Sequence, residues 1–153
     1  MKQQTILWFR VDLRLSDNPA LKKAIDLNLP VLPIFIYDKE DAQSRSLGAA
    51  SKWWLHKSLE NLSSELELVG SKLLIFRGKA EEVLQKLIYD TIATNVLWNR
   101  RYEPWAVKRD RLIKEKLSAQ SINVMSFNGS LLFEPWEITV SYTHLTLPTT
   151  LCV

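Results

Sequence analysis

A short charged segment is the place where this sequence could bind a ligand. Arg10, Asp12 and Arg14 alternate with apolar residues in the run WFRVDLRLSDNPAL, directly after the apolar stretch Ile6–Phe9. Such a stretch is typical of a strand buried on both faces of a parallel sheet, and open α/β sheets bind ligands at the carboxyl ends of their strands. Two interpretations are open. The charges face a ligand, or they form a solvated loop in which Arg10 or Arg14 pairs locally with Asp12 or Asp17.

Residue types that make or break bonds do not form a recognisable set in this chain. His56 is the only histidine before residue 139, and it lies in a predicted helix without partners at metal-ligand spacing. No GxSxG segment offers a nucleophile. The four scattered glycines form neither a GxGxxG nor a Walker-type loop. We therefore predict no catalytic residue and no metal ligand.

The composition is that of an ordinary single-domain protein. Its 153 residues are 46% hydrophobic and 24% charged, and the net charge of +3 is too small to indicate nucleic-acid binding by itself. Cys152 is the single cysteine, which excludes an internal disulfide and favours a reducing compartment. No signal peptide fits the N-terminus, and no apolar run approaches the roughly 18 residues of a membrane span. We expect a cytoplasmic monomer.

Apolar runs and amphipathic stretches alternate along the chain and predict five strands and four helices. The predicted strands cover residues 6–9, 31–37, 72–77, 95–99 and 122–127. The predicted helices cover about 19–27, the stretch between Gly48 and Gly70, 80–89 and 105–119, and residues 39–47 are a polar loop. Alternation of this kind is typical of βαβ units. The expected fold is α/β, with a doubly wound, five-stranded parallel sheet and helices on both faces.

Three local signals refine these elements. Asp17 or Asn18 can cap the first helix. Pro33 cannot donate to a sheet, so it should lie near the start of the second strand or at a locally free edge. The adjacent Trp53 and Trp54 cannot share one helix face. Either one packs in the core and the other at the surface, or one contacts another domain.

The last residues of the chain differ from all those before them. Residues 139–153 contain no Asp, Glu, Lys or Arg and five threonines, and the run SYTHLTLPTT resembles translated sequencing-adapter DNA. We predict one domain over residues 1–138 and a non-native or disordered tail over residues 139–153.

Four segments resemble the photolyase/cryptochrome family, in the family's own order. They are WFRVDLRLSDNPAL, GAASKWWLHKSL, WNRRYEPWAVKRD and FNGSLLFEPW, within residues 6 to about 138. The chain is most similar to bacterial cyclobutane-dimer photolyases and resembles their N-terminal α/β domain. One departure is Val11, where the family commonly has a basic or polar residue.

This resemblance implies a light-harvesting function. In the family, the α/β domain can hold an antenna chromophore that passes excitation to FAD. The FAD lies in a separate helical domain, which binds damaged DNA, and the excited reduced flavin donates an electron to a pyrimidine dimer. The implied partners are that helical domain and, through it, DNA. We expect the helical domain to be absent from residues 1–138 and this chain alone to be inactive, although the implied parent is a deoxyribodipyrimidine photolyase, a carbon–carbon lyase.

Two alternatives stay open. Cryptochrome blue-light receptors share this domain, so the resemblance does not separate repair from signalling. A free-standing α/β nucleotide-binding protein would have the same kind of sheet, because such sheets host many functions.

Seven residues are candidates for contact with the antenna chromophore, by their position in the family. They are Phe35, Ile36, Tyr37, Asp38, Lys52, Arg101 and Glu103. Lys52 matches a basic position that deazaflavin-binding members use, and apolar walls with a few polar anchors suit a planar ring. Folate-binding members tend to carry an Asn-Glu pair where this chain has Trp105-Ala106, so the resemblance favours a deazaflavin or a flavin over a folate.

Overall fold

The computed structural model describes residues 3–38 and 47–137. Five parallel strands form one sheet: β1 (Gln4–Phe9), β2 (Val31–Tyr37), β3 (Leu74–Arg77), β4 (Ala93–Asn99) and β5 (Asn123–Phe127). Four helices connect them: α1 (Pro19–Asp26), α2 (Ala49–Leu68), α3 (Ala80–Thr91) and α4 (Pro104–Ala119). The predicted five-stranded α/β fold is confirmed. β3 begins at Leu74 rather than at residue 72, and β4 begins at Ala93 rather than at residue 95.

Two apolar cores cover the two faces of the sheet. Alternate residues of a strand point to opposite faces, and β1 contributes Ile6 and Trp8 to one core and Leu7 and Phe9 to the other. The first core also contains residues of α3 and α4, and the second contains residues of α1 and α2. The sheet is therefore doubly wound, as predicted.

The strand order β3-β2-β1-β4-β5 creates a switch point at the centre of the sheet. From β1 the chain builds outward to β2 and β3, and then crosses to β4 and β5 on the other side. Adjacent strands whose connections leave in opposite directions open a crevice at their carboxyl ends. At this point Leu7 pairs with Leu97 and Trp8 pairs with Trp98.

The local signals have clear outcomes. Asn18 caps α1, since its Oδ1 accepts a hydrogen bond from Leu21 N at 3.1 Å. Pro33 pairs with Leu7, but β3 joins β2 only from Ile34 onward, so the edge beside the proline is locally free, as expected.

The adjacent tryptophans of α2 both lie at the surface. Trp53 is 61% exposed and Trp54 is 69% exposed. The alternative in which one of them packs in the core is therefore wrong.

Some predictions fall outside the described residues. These are the tail over residues 139–153 and nearly all of the polar loop over residues 39–47. Within the described ranges, none of the helices combines the length and the apolar character that a membrane span requires.

Candidate functional site

The carboxyl ends of β1, β2 and β4 lie at one edge of the sheet, because these strands are parallel neighbours in the order β2-β1-β4. This is the edge where open α/β sheets bind ligands.

A buried polar network joins the β1 loop to the end of β4. Asp12 accepts hydrogen bonds from Arg10 N at 2.9 Å and from Asn99 Nδ2 at 2.5 Å. Asn99 Nδ2 also donates to Asn18 Oδ1 at 2.8 Å, and Asn99 Oδ1 accepts from Ala20 N at 3.2 Å. We call Arg10, Asp12, Asn18 and Asn99 the switch-point network. It fixes the β1 loop and the start of α1 against β4.

Arg10 is the buried cation of this network. It is 5% exposed, and its guanidinium donates to the Asp110 carboxylate on α4 and to the carbonyl oxygen of Asn99. Its Cζ lies 5.0 Å from the Trp8 ring centre and 5.9 Å from that of Trp98. Burial lowers the pKa of Arg10, and the Asp110 carboxylate opposes that shift. A solvated local ion pair is therefore the wrong interpretation of Arg10, whose partner is 100 residues away in sequence.

Four of the seven predicted chromophore contacts lie on β2 and α2, and a fifth, Asp38, directly follows β2. Phe35 and Ile36 are buried and belong to the cores on opposite faces of the sheet. Tyr37 is half-buried against the core under α1 and α2, and Asp38 Oδ2 accepts a hydrogen bond at 3.2 Å from the first backbone N–H of α3. Lys52 is exposed in the first turn of α2. Their roles toward a chromophore stay predictions.

The other two predicted residues contact each other after β4. Arg101 Nη2 lies 2.6 Å from Glu103 Oε1, and this hydrogen bond lowers the pKa of the Glu103 carboxyl. The Arg101 guanidinium also lies 4.6 Å from the ring centre of Trp105, and Arg109 lies 5.1 Å from the same ring. Two cations therefore lie within cation–π distance of the Trp105 ring.

A cavity of about 470 Å³ opens beside Arg101, and residues of β4, β5 and α4 line it. We call it the β4–β5 pocket. Its aromatic side chains are Trp98, Tyr102 and Trp136, its cationic side chains are Arg100, Arg101, Arg111 and Lys114, and its acidic side chains are Asp110 and Glu115. Ligand pockets typically enclose about 300–1,000 Å³, with apolar walls and a few polar groups. This one can bind a planar ring against aromatic walls and an anionic group at its cations.

Arg100 and Tyr102, which line the pocket, both contact the carboxylate of Glu134. Arg100 donates to both carboxylate oxygens of Glu134, at 2.6 and 2.8 Å, and Tyr102 donates to Glu134 Oε1 at 2.6 Å. Burial by itself raises the pKa of Glu134, but these hydrogen bonds outweigh it and the net shift is downward. Burial and the bond to Glu134 raise the pKa of Tyr102. Trp136 lies beside both donors, 5.4 Å from Arg100 and 6.4 Å from the Tyr102 ring.

The sequence-based prediction of the site missed Arg100, Tyr102, Glu134 and Trp136. All four lie in the segments WNRRYEPW and FEPW, each of which follows a predicted strand and combines aromatic with charged residues. This combination of aromatic and charged residues could have indicated a binding site from the sequence. Only the strand order puts β4 beside β5 and so brings the two segments together.

Within residues 3–38 and 47–137, no three His, Cys, Asp or Glu side chains are grouped in a way that could hold a metal ion.

Known proteins show the same architecture. A family model described as DNA photolyase matches residues 5–150. The chain belongs to the DNA photolyase family. The deoxyribodipyrimidine photo-lyase of Agrobacterium fabrum is 48% identical over 130 residues, which are 85% of this chain and 26% of that protein. Cryptochrome-2 of Arabidopsis thaliana is 44% identical over 139 residues, which are 90% of this chain and 22% of that protein.

A solved structure agrees with these relatives. The crystal structure of a bacterial class III photolyase from Agrobacterium tumefaciens superposes with a TM-score of 0.85 at 44% identity, over 92% of this chain and 29% of that one. This chain therefore spans about a quarter of the length of its photolyase and cryptochrome relatives and corresponds to their N-terminal part. Membership of the photolyase family implies a flavin and an antenna chromophore.

Proposed function

We propose that this chain is the antenna domain of a deoxyribodipyrimidine photolyase and that it binds the chromophore in the β4–β5 pocket. The observation that carries the proposal is the pocket itself, which combines Trp98, Tyr102 and Trp136 with several cations beside β4, β5 and α4. When bound, an antenna chromophore absorbs light and passes excitation energy to a flavin. The protein's part is to orient the ring, shield it from water and neutralise its anionic end.

The described residues offer no dinucleotide motif for FAD. The sequence has four scattered glycines and neither a GxGxxG nor a Walker-type loop to hold its phosphates. We therefore propose that FAD and damaged DNA bind to a helical domain of the full-length photolyase, which is the partner of this domain.

A deazaflavin or a flavin is our proposed chromophore, in preference to a folate. The reason is the Trp105-Ala106 pair at the position of the Asn-Glu pair that folate-binding members tend to carry. Ala106 is fully buried, and Trp105 is covered by Arg101 and Arg109, so neither offers a polar anchor to a pterin ring.

Titration of the purified chain with FMN, a deazaflavin and a reduced folate tests the proposal. After gel filtration, the protein should retain a near-ultraviolet or visible absorbance band from FMN or the deazaflavin, and AMP should not compete. Retention of the folate alone would contradict the choice of chromophore. Retention of none of the three, with specific binding of AMP, would contradict the antenna function and favour the nucleotide-binding alternative.

Two substitutions locate the binding site. Trp136→Ala removes an aromatic wall of the β4–β5 pocket, and we expect it to weaken chromophore binding about tenfold. Lys52→Ala removes the predicted contact on α2, and we expect it to leave binding in the pocket unchanged. The opposite result would mean that the chromophore lies beside β2 and α2, near the other sequence-predicted residues.

A cryptochrome is the second candidate, because a plant cryptochrome is nearly as similar to this chain as a bacterial photolyase is, at 44% against 48% identity. Light-dependent loss of pyrimidine dimers from an oligonucleotide, measured with the full-length parent, distinguishes the two. The 153-residue chain alone should not perform this repair with or without FAD. Repair above a no-protein control would contradict our placement of the FAD site.

A further inference from the structure

The segment that follows β5 crosses the carboxyl edge of the sheet and is fixed at its start. We call residues 128–137 the strap. Arg14 Nη2 donates to the carbonyl oxygen of Gly129 at 2.7 Å. Gly129 also lies so close to Asn99 that an added Cβ would be 2.8 Å from the Asn99 Cβ and Cγ atoms. The switch-point network therefore sets where the strap begins.

The far end of the strap is fixed by a buried carboxylate. Glu134 is 6% exposed, whereas Phe133 and Trp136 on either side of it are each 61% exposed. A buried carboxylate is costly unless it is paired, and here a bidentate arginine and a tyrosine hydroxyl pair it. Without those bonds, little apolar burial would hold this end of the strap in place.

The residues that hold Glu134 are also the residues beside Trp136. Arg100 lies 5.4 Å from the Trp136 ring centre, and the Tyr102 ring lies 6.4 Å from it. Glu134 and Glu137 close the turn between them, with Glu137 N donating to Glu134 O at 2.9 Å and Glu134 N donating to Glu137 Oε2 at 2.8 Å. The position of Glu134 thus determines the position of Trp136.

We propose that Glu134 is a positioning residue, which holds Trp136 as the outer wall of the β4–β5 pocket through Arg100 and Tyr102. The use of that wall to bind a chromophore rests on the proposed function. The placement of Trp136 by Glu134 does not, so the two can be tested separately.

Collisional quenching of tryptophan fluorescence by acrylamide in the ligand-free chain tests the placement. We expect Glu134→Gln to increase quenching in a background that contains Trp136 and to change nothing in a Trp136→Phe background. Glu60→Gln is the matched control, because it removes the same charge from an exposed ion pair with Lys57 on α2. Equal quenching of Glu134→Gln and wild type would overturn the proposal.

FMN binding provides the second measurement. Glu134→Gln should weaken FMN binding about tenfold, Glu134→Asp should restore part of the loss, and Glu60→Gln should bind as wild type does. An unchanged FMN affinity in Glu134→Gln would overturn the role of the positioned wall in binding. Failure of wild type to bind FMN would contradict the proposed flavin site, and the quenching experiment would still decide the placement of Trp136.

A milder substitution keeps the test decisive if Glu134→Gln does not fold. Tyr102→Phe retains the ring and removes only the hydroxyl that donates to Glu134. It should raise Trp136 quenching and weaken FMN binding about threefold. No change in either quantity would overturn the proposal.

Discussion

Two arginines directly follow neighbouring strands at matching positions and differ in how deeply they are buried. Trp8 of β1 pairs with Trp98 of β4, and an arginine follows each tryptophan after one residue. The Arg10 side chain is 3% exposed and pairs with Asp110, whereas the Arg100 side chain is 28% exposed, pairs with Glu134 and lines the pocket. β1 lies at the centre of the sheet and β4 lies one strand nearer its edge. The same local pattern therefore produces a buried structural cation at the centre and a pocket-lining cation nearer the edge.

The largest expected difference between the two positions is in stability. Arg10→Met removes this donor from the Asn99 carbonyl and from the partly buried Asp110 carboxylate, which keeps its hydrogen bond from Arg109. Because the Arg10 side chain is only 3% exposed, we expect the free energy of unfolding to fall by about 3 kcal/mol. Arg100→Met should cost about 1 kcal/mol, because Glu134 keeps its bond from Tyr102 and Arg100 is partly solvated. Urea denaturation of both variants measures the difference. Equal losses would show that the two arginines have the same role.

A glycine substitution tests the link between the switch-point network and the strap. Gly129→Ala places a methyl group 2.8 Å from Asn99 Cβ and Cγ, so one of the two segments must move. We expect a loss of about 2 kcal/mol in the free energy of unfolding. Gly48→Ala is the control, since nothing lies within 4 Å of the added Cβ there. A Gly129→Ala variant as stable as Gly48→Ala would mean that the strap is not packed on Asn99.

The pH dependence of stability measures how much the ionised Glu134 carboxylate, the partner of Arg100, contributes to the free energy of unfolding. Folding lowers the pKa of Glu134, so its contribution is fully present above the unfolded pKa and is lost as pH falls through the folded value. We expect wild type to be more stable than Glu134→Gln by about 1 kcal/mol at neutral pH, and this difference should shrink as pH falls from about 5 to 3. Thermal unfolding across that range measures it. A constant difference would exclude ionised Glu134 as the cause.

The smallest effect is expected from removal of residues 139–153. We propose that this tail contributes nothing to the domain, because it lacks charges and any amphipathic pattern. A chain that ends at residue 138 should unfold within about 0.5 kcal/mol of the longer one and bind FMN equally. A larger loss of stability would show that the tail is part of the fold.

Periodicity and cap residues allowed most of the fold to be predicted. The leucine stripe of α2, with Leu62 and Leu66 in the core, the Asn18 cap and the alternation of strands with helices are all local patterns, and local patterns are visible in a sequence. The candidate site depends more on tertiary structure. Phe35 and Ile36 stay predictions as chromophore contacts, and the structure shows both side chains buried, because β2 lies inside the sheet and helices cover both of its faces.

The sequence by itself determined the doubly wound sheet and the absence of a GxGxxG or Walker-type loop, because both depend on residues close together in the chain. Only the tertiary structure decided that Arg10 pairs with Asp110 and that Arg100 pairs with Glu134. Those pairs depend on strand order and on the direction in which each connection leaves the sheet. Periodicity does not encode the distance between side chains that are 34 or 100 residues apart, and the pocket exists only where such side chains meet.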